Sequence, residues 1–334
     1  MSVTIGVDLG GTKIQTVAVR SRRVVGSSRL ATPRSGARDV IDAIASSVRS
    51  ALEDGHADRE VSAVGIGTPG DIDLHAGAVS LSPNVPGFQE RVELGPLVAK
   101  QLGGVPVVLD NDVRSAVLGE YRRGAGRPFR DVLGVFVGTG VGGGLILGGK
   151  LRVGRGAAGE IGHTVVKVGG RTCSCGREGC LEAYAGRGSM ERTARRWVQE
   201  GHETVLFEVM TRKGRDRLTS GVIAEALKRD DAMAERLIDD AVWALGAALA
   251  SAQNLLDVEA IIVGGGLGER LGAPFLDRIT DAMRPHLFVV DNPPALIGTE
   301  LGDLSGAVGA AIRAEGAARM ARPRARRVRT RSTP

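Results

Sequence analysis

The chain has 334 residues, of which 43% are hydrophobic, a composition typical of an ordinary globular protein and not of a disordered or fibrous one. The net charge of +6 does not indicate a folded nucleic-acid-binding face, because the seven arginines that follow Glu315 account for the whole excess. The longest charge-free apolar stretch, residues 241–252, is too short to span a bilayer, which takes about 20 residues.

The predicted elements alternate between strands and helices along the chain, and several strands end in glycine-rich turns. Apolar runs and alternating patterns predict strand-and-turn segments at residues 3–11, 14–20, 61–70, 104–112, 131–150 and 259–266. Helical spacing is found at residues 37–52, 113–122 and most of 188–256, and a helix, a strand and a helix follow to residue 317. This alternation predicts an α/β protein.

One pattern occurs twice: an apolar strand, a glycine-rich turn and a second apolar strand, at residues 5–19 and again at 134–148. Two such units predict two related lobes that face each other, with two unrelated glycine hairpins as the alternative. We expect an N-terminal lobe at residues 1–120 and a C-terminal lobe at residues 121–317, whose last helix is a candidate for packing on the N-terminal lobe. Residues 318–334 are predicted to form a basic, disordered tail. The alternative is that this tail contacts RNA or an acidic partner.

The glycine-rich turns do not fit the best-known nucleotide-binding motifs. Gly138, Gly140 and Gly143 match G-x-G-x-x-G, but a dinucleotide-binding turn opens a helix, whereas these glycines lead into a strand-like segment. No G-x-x-x-x-G-K-[ST] sequence is present, which excludes a P-loop. The turns are typical of tight hairpins whose backbone N–H groups approach a phosphate closely, because glycine has no side chain in the way.

Polar side chains in and beside these turns suit the phosphates of a nucleotide. Thr12 and Thr139 offer hydroxyl donors, Lys13 adds a cation, and Asp8 at the end of the first strand suits Mg²⁺, bound directly or through water. A third glycine cluster ends a strand in the C-terminal half, where it can approach the base and ribose of the nucleotide. The predicted nucleotide-binding residues are Asp8, Gly10, Gly11, Thr12, Lys13, Gly138, Thr139, Gly140, Gly264, Gly265 and Gly266.

All three cysteines of the chain lie in one short segment, at Cys173, Cys175 and Cys180. They cannot all pair within one chain, and the absence of a recognisable signal peptide predicts a cytoplasmic protein whose thiols stay reduced. With His163 they form a Cys₃His set, which suits a structural, tetrahedral Zn²⁺ without an open position. The alternative, three incidental small residues, does not explain the clustering.

The sequences DLGGT at residues 8–12 and GTGVGGG at residues 138–144, with the third glycine cluster, resemble the nucleotide-binding turns of actin, Hsp70 and sugar kinases. Residues 136–166, followed by CSCGREGCLE at 173–182, more narrowly resemble the ROK family, which holds bacterial sugar kinases and sugar-responsive repressors. The resemblance covers nearly the whole chain except the tail. It implies a two-lobed actin/hexokinase/Hsp70-like nucleotide-binding fold with an inserted zinc loop.

The resemblance also implies an activity: phosphorylation of a hexose by MgATP, as in a bacterial ATP-dependent glucokinase, which makes glucose 6-phosphate. Asp112 would then be the general base that takes the proton of the sugar hydroxyl. From the residues alone, a helix-capping role for Asp112 is equally well supported, because aspartate is a good N-cap. The family commonly continues this motif as Asn-Asp-Ala-Asn, whereas this chain has Val113 and Arg114 after the pair.

The resemblance further implies the residues that contact the sugar, namely Asn84, Asn111, Asp112, Glu160, His163 and Glu182. Carboxylates suit a sugar because they accept hydrogen bonds from adjacent hydroxyls. His163 can use one ring nitrogen for zinc and the other for a hydroxyl. A dimer or tetramer is the expected assembly, and no membrane partner is expected.

Several alternatives are left open by the sequence. The acceptor could be fructose, mannose or N-acetylmannosamine, and polyphosphate could replace ATP as the donor. A sugar-binding repressor without kinase activity would need a helix-turn-helix domain, typically ahead of the kinase-like body, and the first phosphate strand already begins at Val3. An assembly protein of the actin or Hsp70 type would not explain the Cys₃His segment.

Overall fold

The computed structural model describes residues 2–56, 61–82 and 84–321. They form two compact units. The first comprises the described residues up to Asp110 together with those from Ala310 onward, and the second comprises Asn111–Gly309. Within the described chain, no helix is both long and apolar enough to cross a bilayer.

Strands and helices alternate along both units. The strands are β1 (Val3–Leu9), β2 (Lys13–Arg20), β3 (Arg23–Ala31), β4 (Val61–Thr68), β5 (Asp71–Asp73), β6 (Ala78–Ser80), β7 (Val107–Asn111), β8 (Val132–Val137), β9 (Val141–Leu147), β10 (Lys150–Arg152), β11 (Ala260–Gly264) and β12 (Ala295–Gly298). The helices are α1 (Ala37–Asp54), α2 (Leu94–Gln101), α3 (Asp112–Arg123), α4 (Glu182–Ala185), α5 (Arg187–Gln199), α6 (Leu206–Arg212), α7 (Ser220–Leu227), α8 (Ala232–Leu256), α9 (Gly265–Leu271), α10 (Ala273–Met283) and α11 (Ser305–Ala321).

The first unit is built on a five-stranded sheet in the order β3-β2-β1-β4-β7. β1 pairs antiparallel with β2 through a tight turn and parallel with β4 on its other side. The apolar residues of β1 are fully buried, as expected for the central strand of a covered sheet. Helix α1 packs on β2 and β3 through a stripe of buried residues at helical spacing, Val40, Ile41, Ile44, Val48 and Ala51.

The second unit contains a sheet of the same plan, in the order β10-β9-β8-β11-β12. The consecutive strands β8, β9 and β10 pair antiparallel, and β11 and β12 continue the sheet in parallel with β8. The pattern that occurs twice in the sequence therefore marks the same kind of hairpin, β1–β2 and β8–β9, in two sheets whose strand orders correspond. These mixed sheets with their packed helices confirm the predicted α/β class.

Several glycines of the second hairpin serve packing. Helix α3 lies directly on β8 and β9. A Cβ atom at Gly142 would come within 2.6 Å of Val113, and one at Gly134 would come within 2.3 Å of Val117. A larger residue at either position would push α3 off the sheet. The high glycine content of this segment thus has a structural cause in addition to the predicted approach of a ligand.

The division of the chain differs from the predicted boundaries at two places. Residue 120, the predicted end of the first lobe, lies inside α3, which belongs to the second unit because it packs on β8 and β9. The predicted tail begins at residue 318, but α11 continues to residue 321, and its part from Ala310 belongs to the first unit. There, a Cβ at Gly65 of β4 would lie 1.9 Å from the carbonyl oxygen of Ala310. Residues 322–334 of the predicted tail lie outside the described residues.

Glu120 is a fully buried carboxylate near the end of α3. Its oxygens accept four hydrogen bonds of 2.6–3.1 Å, which come from the N–H groups of Ala125, Glu300 and Leu301 and from the hydroxyl of Ser305. Ser305 is buried and the three N–H donors are in partly buried hydrogen bonds, so the carboxylate supplies an acceptor where water has limited access. Glu120 therefore joins α3 to the segment between β12 and α11, and no local sequence pattern distinguishes it from an exposed glutamate.

Replacing Glu120 with alanine should lower the free energy of unfolding by about 2–4 kcal/mol, since four donors lose their acceptor. Urea denaturation at pH 7 measures the change. Glu120→Gln keeps one acceptor oxygen and should lose less. Wild-type stability of Glu120→Ala would show that water replaces the carboxylate without cost.

Candidate active site and metal centre

The turn between β1 and β2 consists of Gly10, Gly11 and Thr12. The N–H of Gly10 donates to the carbonyl of Lys13 at 3.0 Å, and the hydroxyl of Thr32 donates to the carbonyl of Gly10 at 2.6 Å. Thr12 is exposed and Lys13 is partly buried. The protein itself therefore fixes the shape of the turn, so that no ligand is needed to order it.

Two further predicted residues lie in the first unit. Asp8 lies near the carboxyl end of β1, where it pairs in register with Gln15 of β2 and Gly67 of β4. The carboxyl ends of parallel strands are the usual place for ligand-binding groups in α/β folds. Asn84 is exposed, and its backbone carbonyl oxygen would lie 2.0 Å from a Cβ at Gly11. The predicted sugar loop and the first predicted phosphate turn are thus in contact.

Gly10 and Gly11 should respond differently to alanine. Among the described residues, a Cβ at Gly10 would meet its nearest atom, the carbonyl oxygen of Lys13, at 3.4 Å. Gly10→Ala should therefore fold normally and lose nucleotide affinity, because the methyl group occupies space that a phosphate needs. Gly11→Ala should lower stability by about 1–3 kcal/mol, because the loop at Asn84 must move.

Thermal unfolding and ATP titration of both variants separate the two effects. Wild-type stability of Gly11→Ala would argue against the close contact with the Asn84 loop. Wild-type ATP affinity of Gly10→Ala would remove this turn from the phosphate site.

The turn between β8 and β9 consists of Gly138, Thr139 and Gly140. A hydrogen bond of 2.8 Å from the N–H of Gly138 to the carbonyl of Gly140 closes it, and the first two N–H groups of α5 donate to the carbonyls of Gly138 and Thr139. Thr139 is exposed. Among the described residues, a Cβ at Gly138 would have no neighbour closer than 3.9 Å beyond the adjacent residues. This open space suits the close approach of a phosphate.

Glu182 connects the second turn to the cysteine segment. One carboxylate oxygen accepts from the N–H of Val141 at 2.9 Å, and the other accepts from the hydroxyl of Ser174 at 2.6 Å. A Cβ at Gly140 would come within 2.2 Å of this carboxylate. The sugar contact of Glu182 stays a prediction, and the structure adds a connection between the phosphate turn and the cysteine segment that the sequence did not indicate.

The third glycine cluster lies where β11 meets α9. Gly264 and Gly265 are required by their surroundings: a Cβ at Gly264 would lie 2.5 Å from Thr299, and Gly265 has a φ of +79°, which favours glycine. Gly266 is less constrained, since the nearest atom to its Cβ position is the hydroxyl of Ser220 at 3.3 Å. Of the three glycines, Gly266 is therefore the one whose surroundings leave most room for a ligand.

Arg187 lies beside two of these clusters, and no motif found in the sequence includes it. Its Nε donates to the carbonyl of Gly138 at 3.0 Å, and its Nη2 lies 3.9 Å from the Cβ position of Gly266. The side chain therefore extends from the second turn to the third cluster. The one sequence feature that could have drawn attention to it is its position between Gly186 and Gly188 at the start of a helix.

Asn111 and Asp112 lie where β7 ends and α3 begins. The side chain that caps α3 is that of Asn111, whose Oδ1 accepts from the N–H of Arg114 at 3.0 Å. Asp112 occupies the first position of the helix itself. Asp112 is therefore not the N-cap residue, although its carboxylate still interacts with the backbone N–H groups of Asp112 and Val113 in the first turn of α3.

Burial raises the pKa of Asp112 to about 6; the negative charge of Glu160 adds to this increase, while backbone N–H groups oppose it. Glu160 is exposed and directly precedes the short turn Ile161–His163. A carboxylate with a pKa near neutrality can accept a proton and release it again, which is what a general base must do. The fold thus brings two of the predicted sugar-site carboxylates into one neighbourhood.

Arg114, which departs from the common motif of the resembling family, is buried. Its Nη1 donates to the carbonyl of Gly156 at 2.8 Å. Gly156 belongs to the loop that leads from β10 to Glu160. The arginine therefore connects the helix that carries Asp112 to the loop that carries Glu160.

The four residues predicted to bind a metal come together in the structure. The ligand atoms of His163, Cys173, Cys175 and Cys180 all lie within 4.8 Å of one another. The sulfurs of Cys175 and Cys180 are 3.8 Å apart, and Nδ1 of His163 is 3.9 Å from the sulfur of Cys173. A tetrahedron with metal–sulfur bonds of about 2.3 Å has edges of about 3.8 Å, so these distances suit Zn²⁺.

The chemistry of the thiols favours the same ion. Cys173 and Cys180 are buried, whereas Cys175 is exposed. Burial, followed by the neighbouring thiols, raises the pKa of Cys180 to about 12, so this thiol stays protonated at neutral pH unless a cation offsets the charge. A bound Zn²⁺ supplies that charge and deprotonates its thiol ligands. The donor set therefore fits zinc.

Known proteins share this fold and these motifs. Residues 4–317 match the ROK family. The glucokinase of Streptomyces coelicolor is 37% identical over 322 residues, which cover 93% of this chain and 97% of that protein. The ROK hexokinase from Thermus thermophilus is 31% identical, with a TM-score of 0.78 and coverage of 95% of this chain and 99% of that one.

A ROK family glucokinase from Streptomyces griseus, solved in complex with glucose and AMPPNP, is 37% identical, with a TM-score of 0.78. The alignment covers 94% of this chain and 100% of that one. Family match, sequence identity and shared fold agree over nearly the whole length. The chain therefore belongs to the ROK family and has its actin/hexokinase-like fold.

Proposed function

We propose that the protein is an ATP-dependent hexose kinase whose preferred acceptor is glucose. The observation that carries the proposal is Asp112, a carboxylate whose pKa is raised to about 6 and which is not the N-cap residue of α3, since Asn111 occupies that position. These properties support a general base and not a purely structural aspartate. Glucose and AMPPNP in the similar Streptomyces griseus glucokinase support the choice of sugar and nucleotide.

The proposed reaction is one phosphoryl transfer. The sugar hydroxyl oxygen bonds to the γ-phosphorus while Asp112 takes its proton, and the bond from that phosphorus to the bridging oxygen breaks, which releases ADP. Asn111, Glu160 and His163 would orient the sugar through its other hydroxyls, because amide, carboxylate and imidazole groups all pair with hydroxyls. Holding the acceptor in line supplies much of the rate acceleration in such reactions.

The glycine turns would bind the phosphates of ATP. Gly10 and Gly138 leave room at their Cβ positions, and the exposed side chains of Thr12 and Thr139 lie in the same turns. Backbone N–H groups and hydroxyls in such turns are good donors to phosphate oxygens. Asp8 would hold Mg²⁺, which neutralises phosphate charge when it is bound.

His163, Cys173, Cys175 and Cys180 would hold a structural Zn²⁺. With four protein ligands the ion has no open position for chemistry, so its role would be to fix the segment between His163 and Glu182. Nδ1 of His163 faces the sulfurs, and Nε2 on the far side of the ring can donate to a sugar hydroxyl.

An assay of the purified protein tests the proposal. Glucose, fructose, mannose and N-acetylmannosamine are each offered with MgATP or with polyphosphate, and the sugar phosphate is measured by mass spectrometry. Glucose with MgATP should give the highest kcat/KM. A higher value for another hexose or for polyphosphate would correct the acceptor or the donor. If the protein binds a sugar but forms no sugar phosphate, it is a sugar-binding regulator and not a kinase.

Two further expectations from the sequence stay predictions. A dimer or tetramer is expected, which light scattering after size-exclusion chromatography would measure. A cytoplasmic location is expected, which cell fractionation would test.

A further inference from the structure

The guanidinium of Arg187 is held at one end by the second phosphate turn. Its Nε donates to the carbonyl of Gly138 at 3.0 Å, and its own backbone N–H donates to the same carbonyl at 3.2 Å. Its Nη2 lies 3.9 Å from the Cβ position of Gly266, whose nearest neighbour is the hydroxyl of Ser220. The terminal nitrogens are thus directed to the third glycine cluster from a fixed anchor.

Within the part of the chain that the structure describes, no carboxylate pairs with Arg187. Burial lowers the pKa of its guanidinium from the ordinary value, and no acidic group opposes this effect. Other partly buried arginines are paired, such as Arg171 with Asp240 and Arg313 with Asp110. A partly buried cation without an acidic partner gains most when an anion binds beside it.

A purely structural role explains the position of only one of the three guanidinium nitrogens of Arg187. The hydrogen bond from Nε to Gly138 supports the turn, but it uses one nitrogen. Nη1 and Nη2 make no hydrogen bond to any described residue, and they form a planar fork that matches two phosphate oxygens. Gly138 and Gly266 carry no side chain that would fill the space on either side of the fork.

We propose that Arg187 binds the α- and β-phosphates of the donor nucleotide through Nη1 and Nη2. The proposal rests on the proposed kinase function, in which the turn at Gly138 contacts phosphates and the third cluster contacts the base and ribose. A guanidinium that lies between these two clusters meets the phosphates nearest to the ribose. Arg187 lies outside the glycine-rich and cysteine motifs described from the sequence.

Calorimetric titration of the full chain with ATP, ADP and adenosine tests the assignment. Arg187→Gln should weaken ATP and ADP binding by about 10- to 100-fold, as expected for the loss of a charge-assisted hydrogen-bond pair. Adenosine carries no phosphate and should bind as it does to the wild-type protein. Arg187→Lys keeps the charge without the fork, so it should recover part of the ADP affinity.

Arg196→Gln is the matched control, because Arg196 lies on the same helix and is exposed beside Glu200. It should bind all three ligands normally. Thermal unfolding verifies that the variants fold, and if Arg187→Gln does not fold, the same comparison of ADP with adenosine is made on Arg187→Lys.

Three results would overturn the assignment. Wild-type ADP affinity in Arg187→Gln would remove the contact. Equal losses for adenosine and ADP, or equal losses in the Gln and Lys variants, would show that Arg187 only supports the turn at Gly138. In each case the wild-type protein would still bind ATP and phosphorylate sugar, whereas failure of the wild-type protein to bind any nucleotide would overturn the kinase function together with this contact.

Discussion

Asp112→Asn is expected to lower kcat for sugar phosphorylation by about 10²–10⁴-fold, the contribution of a well-placed general base. Asparagine has nearly the same size and keeps one acceptor oxygen, so the sugar should still bind. The cap of α3 is Asn111, so the substitution leaves the start of the helix intact. The loss should therefore lie in the chemical step and not in KM.

Steady-state kinetics with glucose and MgATP, together with calorimetric binding of glucose, measures this effect. Asp277→Asn is a suitable control, since Asp277 is an exposed aspartate of α10. It should leave kcat unchanged. A near-normal kcat for Asp112→Asn would exclude Asp112 as the base and leave its raised pKa without a function.

The raised pKa of Asp112 also predicts two opposite pH effects. Only the ionised carboxylate accepts a proton, so kcat should fall as the pH drops through about 6. For stability, the pKa in the folded protein lies above the ordinary 3.8. The contribution of Asp112 to stability is then fully present below about pH 3.8 and is lost as the pH rises through about 6.

Asp112→Asn removes this ionisation. The variant should be more stable than the wild-type protein at pH 8, by about 1–3 kcal/mol, and the difference should shrink toward pH 4. Urea unfolding at the two pH values provides the measurement. A stability difference that does not change with pH would mean that the carboxylate is not buried in its charged form.

Cys175→Ala is expected to remove the bound metal, because three ligands leave a tetrahedral site open and bind the ion much more weakly. Without zinc, the segment between His163 and Glu182 regains conformational freedom. Ordering it again on sugar binding costs about 1–2 kcal/mol for each backbone residue fixed. KM for the sugar should therefore rise about tenfold or more, since His163 is itself a metal ligand in the proposal.

The structure adds a reason for nucleotide binding to change as well. From the sequence, the predicted phosphate turns are separate from the cysteine segment, which predicts that ATP binding survives the loss of zinc better than sugar binding does. In the folded protein, Ser174 lies between two of the cysteines and donates to Glu182, which also accepts from the N–H of Val141. KM for ATP should therefore rise as well, although less than KM for the sugar.

Metal analysis and steady-state kinetics of Cys175→Ala measure both effects. Glu178→Gln is the matched control, because Glu178 is exposed in the same segment and is not among the four ligands. It should keep the metal and both KM values. Absence of zinc from the wild-type protein, or native sugar affinity of Cys175→Ala, would refute the explanation of the three cysteines as a zinc clamp.

The Cys₃His cluster and the glycine turns could be predicted from the sequence because their residues are close together in the chain. The cysteines lie close together in the chain, and each phosphate turn is a few residues long, so spacing alone carries the information. The pattern that occurs twice also predicted two related lobes, and two sheets of the same strand order are found. These features depend on neighbours along the chain.

Contacts between distant segments could not be predicted in this way. Glu182 meets Val141, 41 residues away, and the carbonyl that anchors Arg187 is 49 residues away. Glu120 meets Leu301, at a separation of 181 residues. In the sequence, Glu120 and Arg187 look like ordinary charged side chains, and Glu182 is predicted only as a sugar contact. Their partners are set by how sheets and helices pack, which no short window of residues encodes.

The glycines divide most clearly between what the sequence determined and what tertiary structure decided. The sequence by itself determined that both hairpin turns are rich in glycine, which predicts that their backbone N–H groups can approach a phosphate closely. Only the structure distinguishes Gly10 and Gly138, whose Cβ positions are open, from the glycines beside them. A Cβ at Gly11 would clash with the backbone of Asn84, and a Cβ at Gly140 would clash with the carboxylate of Glu182. A glycine can be required by a ligand or by a neighbouring segment, and the difference depends on atoms that are close in space but far apart in the chain.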